Sequence, residues 1–240
     1  MKNLPLIYSF IFMVNIANSQ NLSVGTHLGL NSSQISGNYG YKNLNSALDY
    51  NSINNAIYGV FLNYGLNKNF AIQPELNYQT RGFEYNTKHG LISDGGNQGN
   101  AKLNYIDVPI LFNYSYGKKL KVIFNAGPSI NILVSGGNYD YSASSAIPPG
   151  YTKYYMRDIK QDFTKVGFGI VGGIGLKYEI NARFAIFSEY RVNYSISKSA
   201  ANQEYADSNN QDTWYYKNTH FKDNSFEIGL SYRLKKIKVQ

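Results

Sequence analysis

The sequence predicts an all-β fold, an eight-stranded antiparallel transmembrane up-and-down β-barrel. Three observations predict it. Eight stretches alternate with period two, the connections between them are alternately short and long, and no segment after the N-terminus is apolar for long enough to cross a membrane as a helix. The composition of 23 Tyr, 22 Gly and 13 Phe favours strands and turns over helices. No linker, composition break or internal repeat marks a second domain, so residues 20–240 are expected to form one barrel domain.

The N-terminus has the features of an export signal. Met1 and Lys2 form a basic start, residues 4–17 are mostly apolar, and small residues end the segment at Ser19. We predict a signal peptide over residues 1–19 with cleavage after Ser19. A transmembrane anchor would need about 20 apolar residues, and this run is shorter. The chain has no cysteine, so neither a lipoprotein anchor nor a disulfide is expected.

Eight stretches have the alternation and the length of membrane strands. A tilted strand needs about 9 to 11 residues to cross a bilayer. The predicted strands are residues 22–31, 56–66, 69–84, 102–116, 120–135, 165–178, 183–197 and 224–234.

The two faces of these strands differ in size and polarity. One carries bulky apolar side chains such as Leu28, Leu76 and Phe168, and the other carries Gly and polar residues. An eight-stranded barrel has an interior just wide enough for side chains to fill, so only the Gly-rich polar face fits inside. A soluble barrel of lipocalin type would require the opposite arrangement, which the volumes oppose. The bulky face is therefore expected to meet lipid.

The connections predict how the barrel is oriented. The short ones are residues 67–68, 117–119 and 181–182, and the long ones are 32–55, 85–101, 136–164 and 198–223. Outer-membrane barrels place tight turns in the periplasm and long loops outside. We therefore predict the bacterial outer membrane, with its lipid and lipopolysaccharide as the surroundings. The aromatic girdles expected at the two interfaces are Tyr64, Tyr114, Tyr116, Tyr178 and Tyr232 beside the short turns, and Tyr78, Tyr85 and Tyr194 towards the long loops.

The polar face carries charges of both signs, which form the candidate site. Buried charges must be paired and hydrogen-bonded, so we interpret them as a structural network that fills the lumen. A small porin-like channel is the alternative. The predicted network consists of Glu75, Arg81, Asp107, Lys177, Glu189, Arg191, Glu227 and Arg233.

The stretch YIDVPILFNY, residues 105–114, combines an Asp and a Pro with an apolar run. The alternation places Asp107 in the lumen, where Arg81 on the preceding strand is a candidate partner. Pro109 lacks the N–H that a closed sheet uses, and Pro74 and Pro128 interrupt the neighbouring strands. We expect bulges or ladder breaks at these prolines.

No catalytic, cofactor or metal site is predicted. His27 is assigned to the lumen face, and His89 and His220 to long loops near Asp94 and Asp223. An outer-leaflet lipid-modifying enzyme stays a lesser alternative, because neither HExxH nor GxSxG occurs. The net charge of +8 is spread over many elements, which favours lipid headgroups over nucleic acid as a partner.

Three motifs resemble those of a known family. Pro74-Glu75-Leu76-Asn77-Tyr78 followed by Gly82, then residues 105–111, then Asn125-Ala126-Gly127-Pro128, are similar to the PorT-like outer-membrane β-barrel proteins of Bacteroidetes. The resemblance covers essentially the whole mature chain. It implies an outer-membrane location and a non-enzymatic structural or interaction role. Since PorT itself is linked to type IX secretion, it also implies a secretion-system or periplasmic protein as a candidate partner.

Overall fold

The computed structural model describes residues 22–41, 48–87, 98–144, 150–200, 203–206 and 213–234. The predicted signal peptide lies outside these ranges. The described residues form ten strands and one short 3-10 helix, Lys160–Asp162. Among them, no helix is long and apolar enough to span a membrane. The strands are β1 (Leu22–Tyr41), β2 (Leu48–Gly65), β3 (Phe70–Thr87), β4 (Gln98–Gly117), β5 (Leu120–Ser144), β6 (Gly150–Asp158), β7 (Val166–Glu179), β8 (Phe184–Ser195), β9 (Gln203–Ala206) and β10 (Thr213–Arg233).

Eight of the described strands close into an antiparallel barrel. The order is β1-β2-β3-β4-β5-β7-β8-β10, and β10 pairs back onto β1. The closing ladder runs from Ser23 opposite Arg233 to Tyr41 opposite Trp214. The predicted eight-stranded barrel is therefore confirmed. Two further strands extend it, since β6 pairs with β5 and β9 with β10.

Local hydrogen bonds explain two of the short turns. The Asn67 side-chain oxygen accepts from the backbone N–H groups of Asn69 and Phe70, both at 2.9 Å. Asn181 does the same for Arg183 and Phe184, at 2.8 and 2.9 Å. An Asn side chain that bonds the backbone two residues on fixes a tight turn. These bonds place β2 beside β3 and β7 beside β8.

The strands continue well beyond the predicted membrane segments. β1 has 20 residues and β5 has 25, where about 10 and 16 were predicted. At about 3.3 Å per residue and a tilt near 40°, a 20-residue strand reaches roughly 50 Å along the barrel axis, about twice the apolar band of an outer-membrane barrel. Much of the sequence assigned to long loops is therefore β-sheet on the extracellular side.

The outward face carries a continuous apolar belt. Thr80, Asn104 and Ser135 form an outward hydrogen-bonded row across β3, β4 and β5, with links of 2.7 and 2.9 Å. This row marks the extracellular limit of the belt on those strands. Large exposed side chains of the belt include Leu28, Leu30, Val60, Leu76, Phe112, Phe168, Ile174, Phe226 and Ile228.

The assignment of Tyr85 to an interfacial aromatic girdle is wrong. Tyr116, Tyr178 and Tyr194 point outward, whereas Tyr85 is buried inside the barrel. Tyr85 has the inward parity of Arg81 on β3, and the barrel there already lies beyond the belt. Its ring therefore packs in the interior.

The prolines interrupt the ladders without changing the register. The β3–β4 ladder pairs Pro74 with Ile110 and resumes at Asn77 with Asp107. The β4–β5 ladder pairs Pro109 with Ser129 and resumes at Phe112 with Ala126. The predicted ladder breaks are confirmed. No bulge occurs at these prolines, and Pro128 keeps its pairing with Ile170 on β7.

Candidate functional site: the charged lumen

The lumen contains three successive layers. Along β8 the inward side chains are Phe187, then Glu189 and Arg191. Along β3 they pass from Glu75 through Arg81 to Phe83, and all three are buried. A charged layer thus lies between an apolar layer on the periplasmic side and an aromatic layer on the extracellular side.

Arg191 organises the first charge cluster. Its guanidinium donates two hydrogen bonds to Glu75, at 2.7 and 2.9 Å, and one to Glu189 at 3.1 Å. A carboxylate oxygen of Glu227 lies 3.5 Å from it. Because β8 and β3 are not neighbours in the sheet, the Arg191–Glu75 pair joins opposite walls of the barrel.

Polar side chains satisfy much of the remaining acceptor capacity of these carboxylates. Gln73 and Asn77 donate to Glu75 at 2.7 and 3.0 Å. Asn125 donates to Glu189 at 2.7 Å, and Ser225 to Glu227 at 2.6 Å. Buried ions are tolerated only with such support, which explains the Asn-rich inward face.

His27 connects two carboxylates of this cluster. Its Nδ1 lies 2.7 Å from Glu227, and its Nε2 lies 3.0 Å from the side-chain oxygen of Asn77 and 3.9 Å from Glu75. His27 is 1% exposed. Each ring nitrogen therefore faces an oxygen, and the imidazole is part of the packed network.

Arg81 organises the second cluster. It lies 3.0 Å from Asp107 and 2.6 Å from Asp223. Gln79 and Asn131 also donate to Asp107, the latter at 2.6 Å. The Arg81 guanidinium lies 4.8 Å from the centre of the Tyr105 ring. The expected pairing of Asp107 with Arg81 is therefore present.

Asp223 and His220 are placed differently from the sequence assignment. Both belong to β10, not to a loop. Asp223 points into the lumen, whereas His220 bonds the Ser195 carbonyl at 3.0 Å and stacks on Tyr194. Ser225 and Glu227 alternate on the inward face of β10. Extending this alternation by two residues towards the N-terminus would have placed Asp223 in the lumen as well. His89 lies outside the described residues.

The periplasmic apolar layer consists of Phe61, Ile123 and Phe187. The Phe61 and Phe187 rings meet edge to face at 5.6 Å. A Cβ atom on Gly25 or Gly229 would collide with one of these rings, so glycine provides the space for both phenyl groups. The charged layer is thus separated from the periplasmic opening.

The aromatic layer closes the extracellular side. Phe221 packs against Tyr105 and Phe163, each at 6.3 Å between ring centres. Phe163 and Ile159 come from the connection between β6 and β7, where Ile159 is tied to the Gly136 carbonyl at 3.3 Å. This connection therefore contributes two buried side chains to the interior.

Two predicted network residues lie elsewhere. Lys177 and Arg233 line the periplasmic opening together with Lys121 and Glu179. Glu179 pairs with Lys121 at 2.7 Å and with Arg233 at 3.3 Å. The structure brings Glu75, Arg81, Asp107, Glu189, Arg191 and Glu227 into the two buried clusters, and leaves Lys177 and Arg233 outside them.

Little space remains inside the charged layer. A cavity of about 20 Å³ lies between the clusters, beside Gln79, Asp107, Asn193 and Glu227. That is close to the volume one water needs. Across the described ranges, no three His, Asp or Glu side chains converge in a way that could hold a metal ion. The arrangement ties opposite walls of the barrel together and fills the space between them.

Comparison with known proteins identifies the family. Residues 18–201 match the model described as "Outer membrane protein beta-barrel domain". The chain belongs to this family. The protein is accordingly an outer-membrane β-barrel protein, as the alternation and the short turns predicted. No curated protein matches the chain.

Solved structures of similar fold are outer-membrane barrels with low identity. Neisserial surface protein A is 11% identical at a TM-score of 0.44, with 89% of this chain and 97% of that chain covered. OprG of Pseudomonas aeruginosa is 10% identical at 0.48, with 91% and 99% covered. The outer membrane protease OmpT of Escherichia coli is 12% identical at 0.38, with 89% and 97% covered.

Proposed function

We propose that this barrel has a non-enzymatic structural or interaction role and that its lumen does not conduct ions. The observation that carries the proposal is the filled interior. Two buried charge clusters occupy the middle, Phe61 and Phe187 close one side, and Phe163 and Phe221 close the other. An ion would have to break buried salt bridges to pass.

Planar-bilayer recording tests the closed lumen against the porin-like alternative. The purified barrel is expected to give no discrete conductance steps. Steps that change in size when Glu75 or Arg191 is neutralised would instead support a channel through the lumen. A matched change at exposed Arg183, on a short turn, should leave the recording unaltered.

The extracellular strands support an interaction role. β6 and β9 lie beyond the apolar belt, and within the described ranges β6 pairs only with β5 and β9 only with β10. A strand paired on one side presents free backbone donors and acceptors, to which a partner strand can add. A rigid, filled barrel would hold these edges at a fixed height above the membrane.

We place the protein among the PorT-like barrels and infer a secretion-system or periplasmic partner. The motif prolines support this finer assignment, because Pro74, Pro109 and Pro128 lie on three successive strands at the interruptions of the β3–β4 and β4–β5 ladders. Mild cross-linking in the native outer membrane, followed by affinity capture, is expected to recover secretion components. Recovery of the barrel alone would argue against the secretion role while leaving the closed barrel intact.

The export signal is part of the proposal. Cleavage after Ser19 would leave Gln20 as the first residue of the mature protein. N-terminal sequencing of protein from the outer membrane checks this. A mature chain that begins at Met1 would contradict it.

The lipid-modifying enzyme is the alternative that the proposal rejects. His27 is locked among carboxylates, and His220 bonds a backbone carbonyl. Within the described residues, neither ring is hydrogen-bonded to a serine or threonine hydroxyl. Overexpression is therefore expected to leave the mass spectrum of lipid A unchanged, and a new acylation pattern would overturn the non-enzymatic role.

A further inference from the structure

The periplasmic end of the barrel forms a cup of about 470 Å³. Five basic side chains line it, namely Lys68, Lys118, Lys121, Lys177 and Arg233, together with a single acidic one, Glu179. Five positive charges against one leave a net charge of +4 on its walls. The volume lies within the range of small-molecule sites.

The cations reach the cup from all around the barrel. Lys121, Lys177 and Arg233 belong to β5, β7 and β10, and each has the inward parity of its strand. Lys68 and Lys118 lie in the β2–β3 and β4–β5 turns. The lysines and the arginine therefore surround a central volume at the periplasmic mouth, with Lys121, Lys177 and Arg233 on the inner face of the barrel wall.

Lys177 is the key residue of the cup. Glu179 is already engaged by Lys121 at 2.7 Å and by Arg233 at 3.3 Å. Within the described part of the chain, Lys177 has no ion pair or hydrogen bond, although it lies within electrostatic range of Lys121, Glu179 and Arg233. Like charges held together inside a wall of low dielectric constant favour an added anion.

We propose that this cup binds a small, soluble, multivalent phosphate compound from the periplasm. A compact tetrahedral anion can accept from donors on several sides at once, and the ring of ammonium and guanidinium groups supplies such donors. Asn63 and Asn113 also line the wall; each amide donates one N–H to a neighbour, Gln73 or Asn125, at 2.7 Å and keeps a second N–H as a neutral donor. The apolar layer of Phe61, Ile123 and Phe187 forms the closed end, so the ligand enters and leaves by the periplasmic mouth. This proposal does not depend on the secretion role.

Calorimetric titration of pyrophosphate into the purified full-length barrel tests the proposal, in zwitterionic detergent at constant ionic strength. We expect saturable binding of one pyrophosphate per barrel. Lys177→Gln should weaken it about tenfold or more, since each charge-assisted contact contributes at least that factor. Arg233→Gln should weaken it similarly. The matched control is Lys119→Gln, because Lys119 adjoins Lys118 but lies over the Tyr178 ring at 5.2 Å and does not line the cup.

Several results would overturn the proposal. One is the lack of any saturable binding, and another is an equal loss on Lys119→Gln, which would indicate diffuse surface charge. Tighter binding of a tricarboxylate of equal charge would exclude the phosphate class. Loss of pyrophosphate binding in anionic vesicles, with retention in phosphatidylcholine vesicles, would assign the cup to lipid headgroups. The heat-induced mobility shift of each variant verifies that it is folded.

Discussion

The guanidinium of Arg191 on β8 donates two hydrogen bonds, of 2.7 and 2.9 Å, to the carboxylate of Glu75 on β3. Both residues are almost fully buried. Sheet hydrogen bonds link only neighbouring strands. The Arg191–Glu75 ion pair, in contrast, connects two strands on opposite walls of the barrel. It also occupies the space through which an ion would have to travel.

Replacing Arg191 with Met should strongly destabilise the barrel. Removal of one partner leaves Glu75, Glu189 and Glu227 buried with fewer donors, which costs about 3–5 kcal/mol in comparable buried pairs. The free energy of unfolding, measured by urea titration in lipid vesicles, checks this. Arg183→Met, at an exposed turn, is the control, and equal stability of the two variants would contradict the bracing role.

Replacing Gly173 with a larger residue should destabilise the barrel, whereas the same replacement at Gly172 should not. A Cβ on Gly173 would collide with the Glu189 carboxylate and approach the Tyr190 carbonyl to 3.1 Å, whereas a Cβ on Gly172 would meet nothing within 4 Å. Gly173→Ala should therefore cost about 1–3 kcal/mol, as overpacked interiors do. Gly172→Ala should be nearly neutral in the same urea titration. Similar losses for both would contradict the described packing.

An arginine in the apolar belt should be far more costly than one above it. Val60 and Asn54 point outward from the same strand, and Val60 lies in the belt. Val60→Arg should cost about 2–4 kcal/mol, as basic residues facing the middle of the membrane do. Asn54→Arg should cost little. Equal, small effects in vesicle-based unfolding would instead indicate a barrel surrounded by water.

Phe221 should be a major stabilising residue of the extracellular half. It is 1% exposed and contacts the rings of Tyr105 and Phe163. Phe221→Ala should cost about 3–5 kcal/mol, because the cavity it leaves adds to the lost burial. Lys222→Ala, its exposed neighbour, serves as the control. A stable Phe221→Ala variant would mean that this half contributes little to folding.

The sequence predicted the membrane half of the fold well, because one physical rule applies throughout it. Lipid outside and a narrow lumen inside require bulky apolar residues on one parity and small or polar residues on the other. Residues 105–114 obey this rule: Tyr105, Asp107, Pro109 and Leu111 are buried inside, and Ile110 and Phe112 are exposed. The ladder interruptions expected at the prolines are present in the structure.

The extracellular half was missed because the rule reverses there. Outside the membrane the outward face meets water, so apolar residues move to the inward parity. On β3 the outward apolar series ends at Tyr78, and Phe83 and Tyr85 continue with the opposite phase. A sequence pattern that requires apolar residues at the outward positions therefore predicts that the strand ends near this point. The same reversal explains why Asp223 was assigned to a loop and Tyr85 to a girdle.

The partners within the charge network could be predicted only in part. Alternation along a strand shows that a residue points into the barrel. It does not show which residue of the opposite wall lies at the same height. Arg81 and Asp107 lie on adjacent strands, so their pairing followed from strand order. The Arg191–Glu75 contact depends on the stagger of the whole barrel, and Lys177 joins the periplasmic cup because β7 ends there.

Cysteine accessibility tests the closed lumen most directly, because the chain has no cysteine of its own. Ser129 is 2% exposed beside the central cavity, and Ser115 lines the periplasmic cup. In the folded barrel, Ser115→Cys should react readily with a small charged thiol reagent, and Ser129→Cys should react only after unfolding. Equal, rapid modification of both would show that water and a small ion reach the middle of the lumen, and would contradict the filled barrel.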